Sequence, residues 1–361
     1  MAKSFLPTIF EHPYEIDPKY GKSVAYFSME YAIDNSFKIY SGGLGYLSGS
    51  HMRSAHDLRQ NLVGVGILWS YGYYNQIRAE DGSMATQYMR KNYPFLEDHN
   101  IKFLIHVCGA PVWVKAYFLN PETFGTAPMF FLSTDLEEND EESRNISRRL
   151  YDANGFTRIA QYVLLGKGGA RLFDELGVEP EIYHLNEAHG LAAAFHVLAK
   201  TGSVEEVRKR FVFTTHTPEE AGNEKMDVNT MNTFSFFDGL SMEQVRAAVG
   251  MTDNTFNYTL AALRLCKERG VRTIGIVNVV GSSIAREADA TMYTWAGPEI
   301  SVATTKAYSA QLSALYLISV KIARVRGLIS IGDERALCAE LQRLPECIEQ
   351  TLKCQSDMQR I

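Results

Sequence analysis

A field of positive charge is missing from these 361 residues: Lys and Arg total 36 against 42 Asp and Glu, for a net charge of −6. No run of basic residues interleaves with aromatics either. Proteins that track a phosphate backbone do so with clustered Lys and Arg, so nucleic acid is not expected as a partner. Long apolar runs are also missing. The longest near the front, Leu62 to Leu68, is far below the ~20 residues that span a bilayer. The start, Met1-Ala2-Lys3-Ser4 leading into Glu11 and His12, has no signal-peptide core. A cytoplasmic chain with no membrane partner is the expectation. Cysteine is sparse, and Cys108, Cys266, Cys338, Cys347 and Cys354 are odd in number with no C-x-x-C pair. That pattern argues against a disulfide framework and a zinc ribbon. What is present is 46% hydrophobic residues, enough to bury one or two substantial cores.

Periodicity orders these residues into strands and helices. Val24 to Met29 is a β-prone run that meets the turn Ser41-Gly42-Gly43-Leu44-Gly45, and Tyr46 to Leu58 then carries apolar residues at helical spacing. Leu62 to Leu68 reads as a buried strand, and Pro111 to Leu119 and Met129 to Ser133 alternate like paired strands. Asp135 to Arg149 is acidic and then basic, the mark of a solvated loop or helix start. Helices are expected over Ser147 to Leu165 and Ala188 to Thr201, and strands over Ile182 to Leu185 and Phe211 to Thr215. Strands alternating with helices imply a doubly wound α/β sheet. In such sheets ligands bind beyond the carboxyl ends of the strands, where His184, Asn186, His216 and Thr217 fall. The pattern restarts after Gly270 with a strand at Thr273 to Asn278, a helix at Val302 to Arg326 and another at Asp333 to Leu352 with an acidic N-cap. In the helix over Thr259 to Arg269, Leu260 and Leu263 with Cys266 and Lys267 recur at three- and four-residue intervals and are expected to face a sheet.

Two chemistries can be weighed from the residues alone. Gly42 to Gly45 can expose backbone N–H groups with no Cβ in the way, and the following helix N-terminus attracts an anion such as phosphate. His184, Glu187 and His189 are common zinc-ligand types, but His184-x-x-Glu187-x-His189 matches no zinc signature and is split by a strand-to-helix junction. No metal is expected.

Six ordered phrases carry a resemblance: Val24-Ala25-Tyr26-Phe27-Ser28-Met29-Glu30-Tyr31, Tyr40 to Gly49, Val63 to Gly66, Gly72 to Gln76, His184 to His189, and Val212 to Pro218. With them, the chain up to about Leu265 resembles the N-terminal part of the short bacterial α-glucan phosphorylases. The resemblance implies a Rossmann-like domain of the glycosyltransferase-B N-terminal type, residues 1–258, and phosphorolysis of α-1,4-glucan to glucose 1-phosphate. It implies that Gly42, Gly43, Leu44 and Gly45 face substrate and cofactor phosphates, and that Asn186, Glu187 and His189 line the sugar cleft. His216 takes the catalytic position, which in the family holds the hydroxymethyl group of the glucosyl unit; a satisfied core histidine is the plainer alternative. The family binds pyridoxal phosphate on a lysine of a C-terminal second domain that has no match here. No covalently bound cofactor and no turnover by this chain alone are therefore expected.

From about Thr259 the affinity changes. Thr259 to Gly270, Ile276 to Ser283, Arg286 to Asp289 and Ala296 to Ala307 resemble the sugar isomerase (SIS) module of the glutamine:fructose-6-phosphate amidotransferases, implying a partial, flavodoxin-like α/β unit over 259–361. In that family the loop matched by Val302, Ala303, Thr304, Thr305 and Lys306 contacts the sugar phosphate, with Thr304 here in place of serine; a helix N-cap alone is the alternative. The family's Ser-Gln-Ser-Gly-Glu-Thr phosphate loop is replaced by Gly250 to Asn257, so isomerisation is not expected. The whole reads as a chimera joined at a helix both families possess, with an α-glucan or sugar phosphate as its partner. A non-catalytic sugar-phosphate-binding protein is the rival reading. SIS modules usually pair, and the apolar stripe of Val302 to Arg326 is one candidate face for a homodimer.

Overall fold

The computed structural model describes residues 3–216, 224–266, 273–298 and 306–354. The chain divides into two compact units, Met1–Thr217 with Ala221–Val271, and Pro218–Glu220 with Arg272–Ile361.

The first unit contains β1 (Val24–Phe27), β2 (Leu62–Ile67), β3 (Asn75–Arg78), β4 (Met84–Gln87), β5 (Glu97–Val107), β6 (Ala110–Leu119), β7 (Met129–Ser133), β8 (Ile182–Asn186), β9 (Phe211–Thr214), β10 (Lys225–Asp227) and β11 (Thr255–Asn257). One seven-stranded sheet runs in the order β5-β6-β7-β2-β1-β8-β9. β7, β2, β1, β8 and β9 are mutually parallel, and β6 lies antiparallel to both its neighbours. Every residue of β2 is buried, which is why Leu62–Ile67 reads as an unbroken apolar run: helices cover both faces of a parallel sheet. The small pairs β3–β4 and β10–β11 are separate antiparallel ribbons. They and the long edge strand β5 escape the sequence reading, because β5 alternates charged and apolar residues only in its second half.

Helix Gly43–Asp57 starts inside the glycine turn rather than after it, with Gly42 as N-cap. It packs backbone against backbone: a Cβ on Gly49 would lie 2.1 Å from the Ala32 carbonyl oxygen. The expected helix from Ser147 begins instead at Gly155. Tyr151 holds a left-handed φ of 54°, and the Asn154 side chain caps the N–H groups of Phe156 and Thr157. The acidic stretch contains one short helix, Glu141–Asn145, capped by Asp140.

Helix Tyr258–Cys266 belongs to the first unit and turns a different face inward from the one expected. Tyr258, Thr259, Ala261, Ala262 and Leu265 are buried, whereas Leu260 and Leu263 are half-buried, and Lys267 lies outside the described residues. Small alanines at 261 and 262 let this helix sit close to its neighbours, and Leu265 fills the space between. Leu265→Ala is expected to lower stability by about 2–5 kcal/mol, whereas Leu263→Ala should cost less than half of that. Urea midpoints of the two variants decide between the faces.

In the second unit, β12 (Ile274–Val277) pairs in parallel with β13 (Ala290–Tyr293), and the two form a sheet by themselves. Asn278 ties the following segment together, donating to the Gly297 carbonyl (2.7 Å) while its Oδ1 accepts from Thr294 Oγ1 and the Ala296 N–H. Helices Lys306–Val325 and Ile331–Leu352 follow. Ser330, not Asp333, caps the last helix; Asp333 answers as its reciprocal partner in a capping box. Among the described residues of this unit the buried apolar side chains are Val277, Ala307 and Ala314.

Candidate functional site at the carboxyl edge of the parallel sheet

Register brings the site residues level. Phe27 pairs with Leu185 and Asn186 with Thr214, so the residues following β1, β8 and β9 emerge side by side at the carboxyl edge. Strand order also reverses here, since β2 and β8 flank β1 on opposite sides, and such a switch point opens a crevice.

A network of hydrogen bonds, joined through the two ends of Glu30, runs across this edge. The buried Glu30 carboxylate accepts from the Ser41 N–H at 2.5 Å and the Gly42 N–H at 3.1 Å, and from the Tyr151 hydroxyl at 2.9 Å. Ser28 Oγ donates to the Glu30 carbonyl at 2.9 Å, and Asn186 Nδ2 reaches Ser28 Oγ at 3.2 Å. Asn186 Oδ1 in turn meets His216 Nε2 at 2.8 Å. Glu187 finishes the arrangement: its carboxylate accepts from the His216 N–H (2.6 Å) and from Thr215 Oγ1 (2.9 Å). Glu187 has φ 61° and ψ 172°, a conformation a non-glycine residue holds only when its surroundings fix it.

The glycine turn, Asn186, Glu187 and His216 are thus one assembly. Glu30 already takes the N–H groups of Ser41 and Gly42, and the second of these is one the sequence left open for a phosphate. The next two, of Gly43 and Leu44, belong to the first helical turn and have no acceptor within the helix. A Cβ built on Gly42 or Gly43 meets nothing within 4 Å, so packing does not require glycine at either place. Gly45 differs, since a Cβ there would lie 2.6 Å from Tyr40 Cβ. Its glycine serves the fold.

His189 stands one step away. Its ring lies against those of Tyr162 (5.1 Å between centroids) and Tyr151 (6.1 Å), its Nδ1 is enclosed without a partner, and burial lowers its pKa to about 4. It is neutral at physiological pH. His184 bonds Thr214 Oγ1 through Nε2 at 2.8 Å and is also lowered to about 4, by burial first and then by His51 and His216. With His184, Glu187 and His189 engaged separately, no group of three or more His, Cys, Asp or Glu among the described residues is arranged to hold a metal ion. None of the described residues gathered at this edge is a lysine. The acid, amide, imidazole, hydroxyl and main-chain N–H groups there are the kind that bind sugar hydroxyls and phosphate.

Ser28, Glu30, Tyr151 and Thr215 were not singled out from sequence. A glutamate three residues beyond a buried strand was the available signal for Glu30; nothing in the sequence marks Tyr151. Of the loop expected to bind sugar phosphate in the second unit, Val302, Ala303, Thr304 and Thr305 lie outside the described residues. Lys306 opens its helix and donates to the Pro298 carbonyl at 2.6 Å. Among the described residues no helix is long and apolar enough to cross a membrane.

Known proteins resemble different stretches of this chain. The SIS domain family matches residues 241–321. An uncharacterized protein of Methanocaldococcus jannaschii is 47% identical over 246 residues, which cover 68% of this chain and 46% of that protein. Maltodextrin phosphorylase of Thermococcus litoralis is 34% identical over 268 residues, 68% of this chain and 31% of that enzyme. Glutamine–fructose-6-phosphate aminotransferase (isomerizing) of Symbiobacterium thermophilum is 50% identical over 98 residues, 27% of this chain and 16% of its own length. The chain spans less than half the length of each of these relatives. Its N-terminal ~270 residues match the glycogen and maltodextrin phosphorylases, and its C-terminal region carries a SIS domain and matches glutamine–fructose-6-phosphate aminotransferases.

Proposed function

We propose that the first unit binds the glucosyl end of an α-glucan, or glucose 1-phosphate, at the carboxyl edge of its sheet, in the service of α-glucan phosphorolysis. The observation that carries this reading is the network in which Glu30 holds the Gly42 N–H with its carboxylate and Ser28 with its main-chain carbonyl, and Ser28 and Asn186 lead on to His216. It holds an anion-attracting helix start and a set of sugar-directed polar groups in one frame. Open space at Gly42 and Gly43 leaves room for a phosphate against the main chain. Tyr46, 59% exposed on the same helical turn, offers a flat apolar face to a sugar ring.

Titration of the 15N-labelled chain with glucose 1-phosphate is expected to shift the amides of Gly42, Gly43, Asn186 and His216, with a millimolar Kd, about −4 kcal/mol. Gly43→Val fills the turn while its Cβ meets no protein atom, so the variant should fold normally and lose most of this binding. Shifts confined to residues 273–354, or wild-type affinity in Gly43→Val, would count against the placement.

A further inference from the structure

We propose that Ser28 and Asn186 are positioning residues that lock the neutral His216 ring as the tautomer protonated on Nε2, leaving Nδ1 as a hydrogen-bond acceptor for a donating hydroxyl of the ligand. The argument follows from which atoms can only accept. The Glu30 carbonyl oxygen has no proton, so at 2.9 Å the Ser28 hydroxyl must donate to it. Having used its single proton there, Ser28 Oγ can only accept from Asn186. The amide nitrogen of Asn186 therefore faces Ser28 at 3.2 Å, and its oxygen faces the imidazole. An amide oxygen only accepts, so His216 Nε2, 2.8 Å away, carries the proton.

Two further observations make the lock firm. Ser28 is 0% exposed and Asn186 1%, so solvent supplies neither with an alternative partner. The Glu187 carboxylate accepts from the His216 main-chain N–H, which fixes the backbone that carries the ring. In a neutral imidazole with Nε2 protonated, the lone pair sits on Nδ1. His216 is exposed, and that nitrogen is the one available to an arriving group. A ligand hydroxyl that donates is favoured over an ether or carbonyl oxygen at this point, because an acceptor facing an acceptor leaves both unpaired. The tautomer stands on geometry alone, while the ligand hydroxyl rests on the carbohydrate reading above.

The test is a long-range 1H–15N correlation spectrum of the full chain with 15N-labelled histidine, at a pH where the ring is neutral, without ligand. Wild-type His216 is expected to show the Nε2–H pattern. Ser28→Ala frees the Asn186 amide to turn over, and His216 should become a mixture or pass to the Nδ1–H form, with the backbone spectrum otherwise preserved. Asn186→Asp offers only acceptor oxygens and should retain Nε2–H. A wild-type ring protonated on Nδ1, or a Ser28→Ala ring unchanged from wild type, overturns the proposal. If Ser28→Ala fails to fold, Ser28→Cys, whose sulfur is a weak acceptor for the Asn186 amide, serves in its place with the same expected drift. On adding glucose 1-phosphate, the Nδ1 signal should move as an acceptor while the tautomer holds. An imidazolium with both nitrogens protonated would instead mean that phosphate is the contact, and would overturn the hydroxyl assignment. Absence of any ligand-induced change removes the carbohydrate reading, while the ligand-free spectra still decide the tautomer.

Discussion

Acidification from about pH 7 to about pH 4.5 is expected to remove several kcal/mol of stability from the first unit, most of it above the ordinary carboxylate range. Four buried histidines cause this, His51, which burial also lowers, together with three that are shifted further. His12 is lowered to about 4 by burial, against the opposing hydrogen bond to the Leu62 carbonyl; His184 and His189 are lowered to about 4 as well, burial again leading. For each, the folded state refuses a proton that the unfolded chain accepts below 6.5. Between about 4 and 6.5 the unfolded state therefore binds more protons, and stability falls as the pH falls through that window. One histidine held from 6.5 down to about 4 contributes on the order of 3 kcal/mol when the shift is fully expressed.

Other charged groups act elsewhere on the pH axis. Burial would raise Asp174 and Asp238, but His196 with Lys200 and Lys167 holds them down to about 2, so their contribution is present above the ordinary carboxylate range and is lost only at lower pH. His196 is itself disfavoured by burial yet raised overall by the same two carboxylates. Its contribution is complete below 6.5 and is lost as pH rises through its folded value. Urea unfolding followed by the fluorescence of the buried Trp69 at pH 7, 5.5 and 4.5 should show the midpoint falling steeply. His189→Leu, which replaces a ring whose Nδ1 has no partner, should make that fall shallower by roughly a quarter to a third. A midpoint that stays level down to pH 5 would mean that these rings are not held neutral by burial.

Gly49→Ala is the substitution with the largest expected cost for its size. Its new methyl would sit 2.1 Å from the Ala32 carbonyl oxygen and 2.6 Å from the Ala32 carbonyl carbon, both main-chain atoms that no side-chain rotation can move aside. Helix Gly43–Asp57 must then shift away from the segment behind it. Overpacking of a close-packed site costs about 1–3 kcal/mol when side chains can yield, and a backbone contact places this variant at or above the upper end. The same shift drags the Ser41 and Gly42 N–H groups off Glu30, so a substitution one and a half turns into the helix should also disturb the candidate site. Thermal melting and the amide shifts of Gly42 and Gly43 read the two effects together. Wild-type stability with unmoved shifts would show that the helix and the Ala32 segment are not packed as described. Gly43→Ala, where a Cβ meets nothing within 4 Å, is the contrasting control.

How far the sequence reached can be judged strand by strand. Leu62–Ile67 and Val24–Phe27 were legible because a parallel strand buried on both faces must be continuously apolar, and that constraint is local. Alternation of such strands with helical periodicity then settled the α/β class, and the strand ends located the edge at which Asn186, Glu187 and His216 gather. Which face of Tyr258–Cys266 turns inward was not legible: Leu260, Leu263 and Leu265 are equally apolar, and only the neighbouring helices decide which one is covered. The capture of Ser41 and Gly42 by Glu30, the left-handed turns at Tyr151 and Glu187, and the orientation of His216 belong to the same category. Each depends on partners distant along the chain; Asn186 and Ser28 are 158 residues apart. By itself the sequence determined which groups are available and at which edge they emerge, because burial and strand period are properties of short segments. Tertiary structure alone decided who donates to whom, because a hydrogen bond's direction is set by whatever partner the fold brings within about 3 Å.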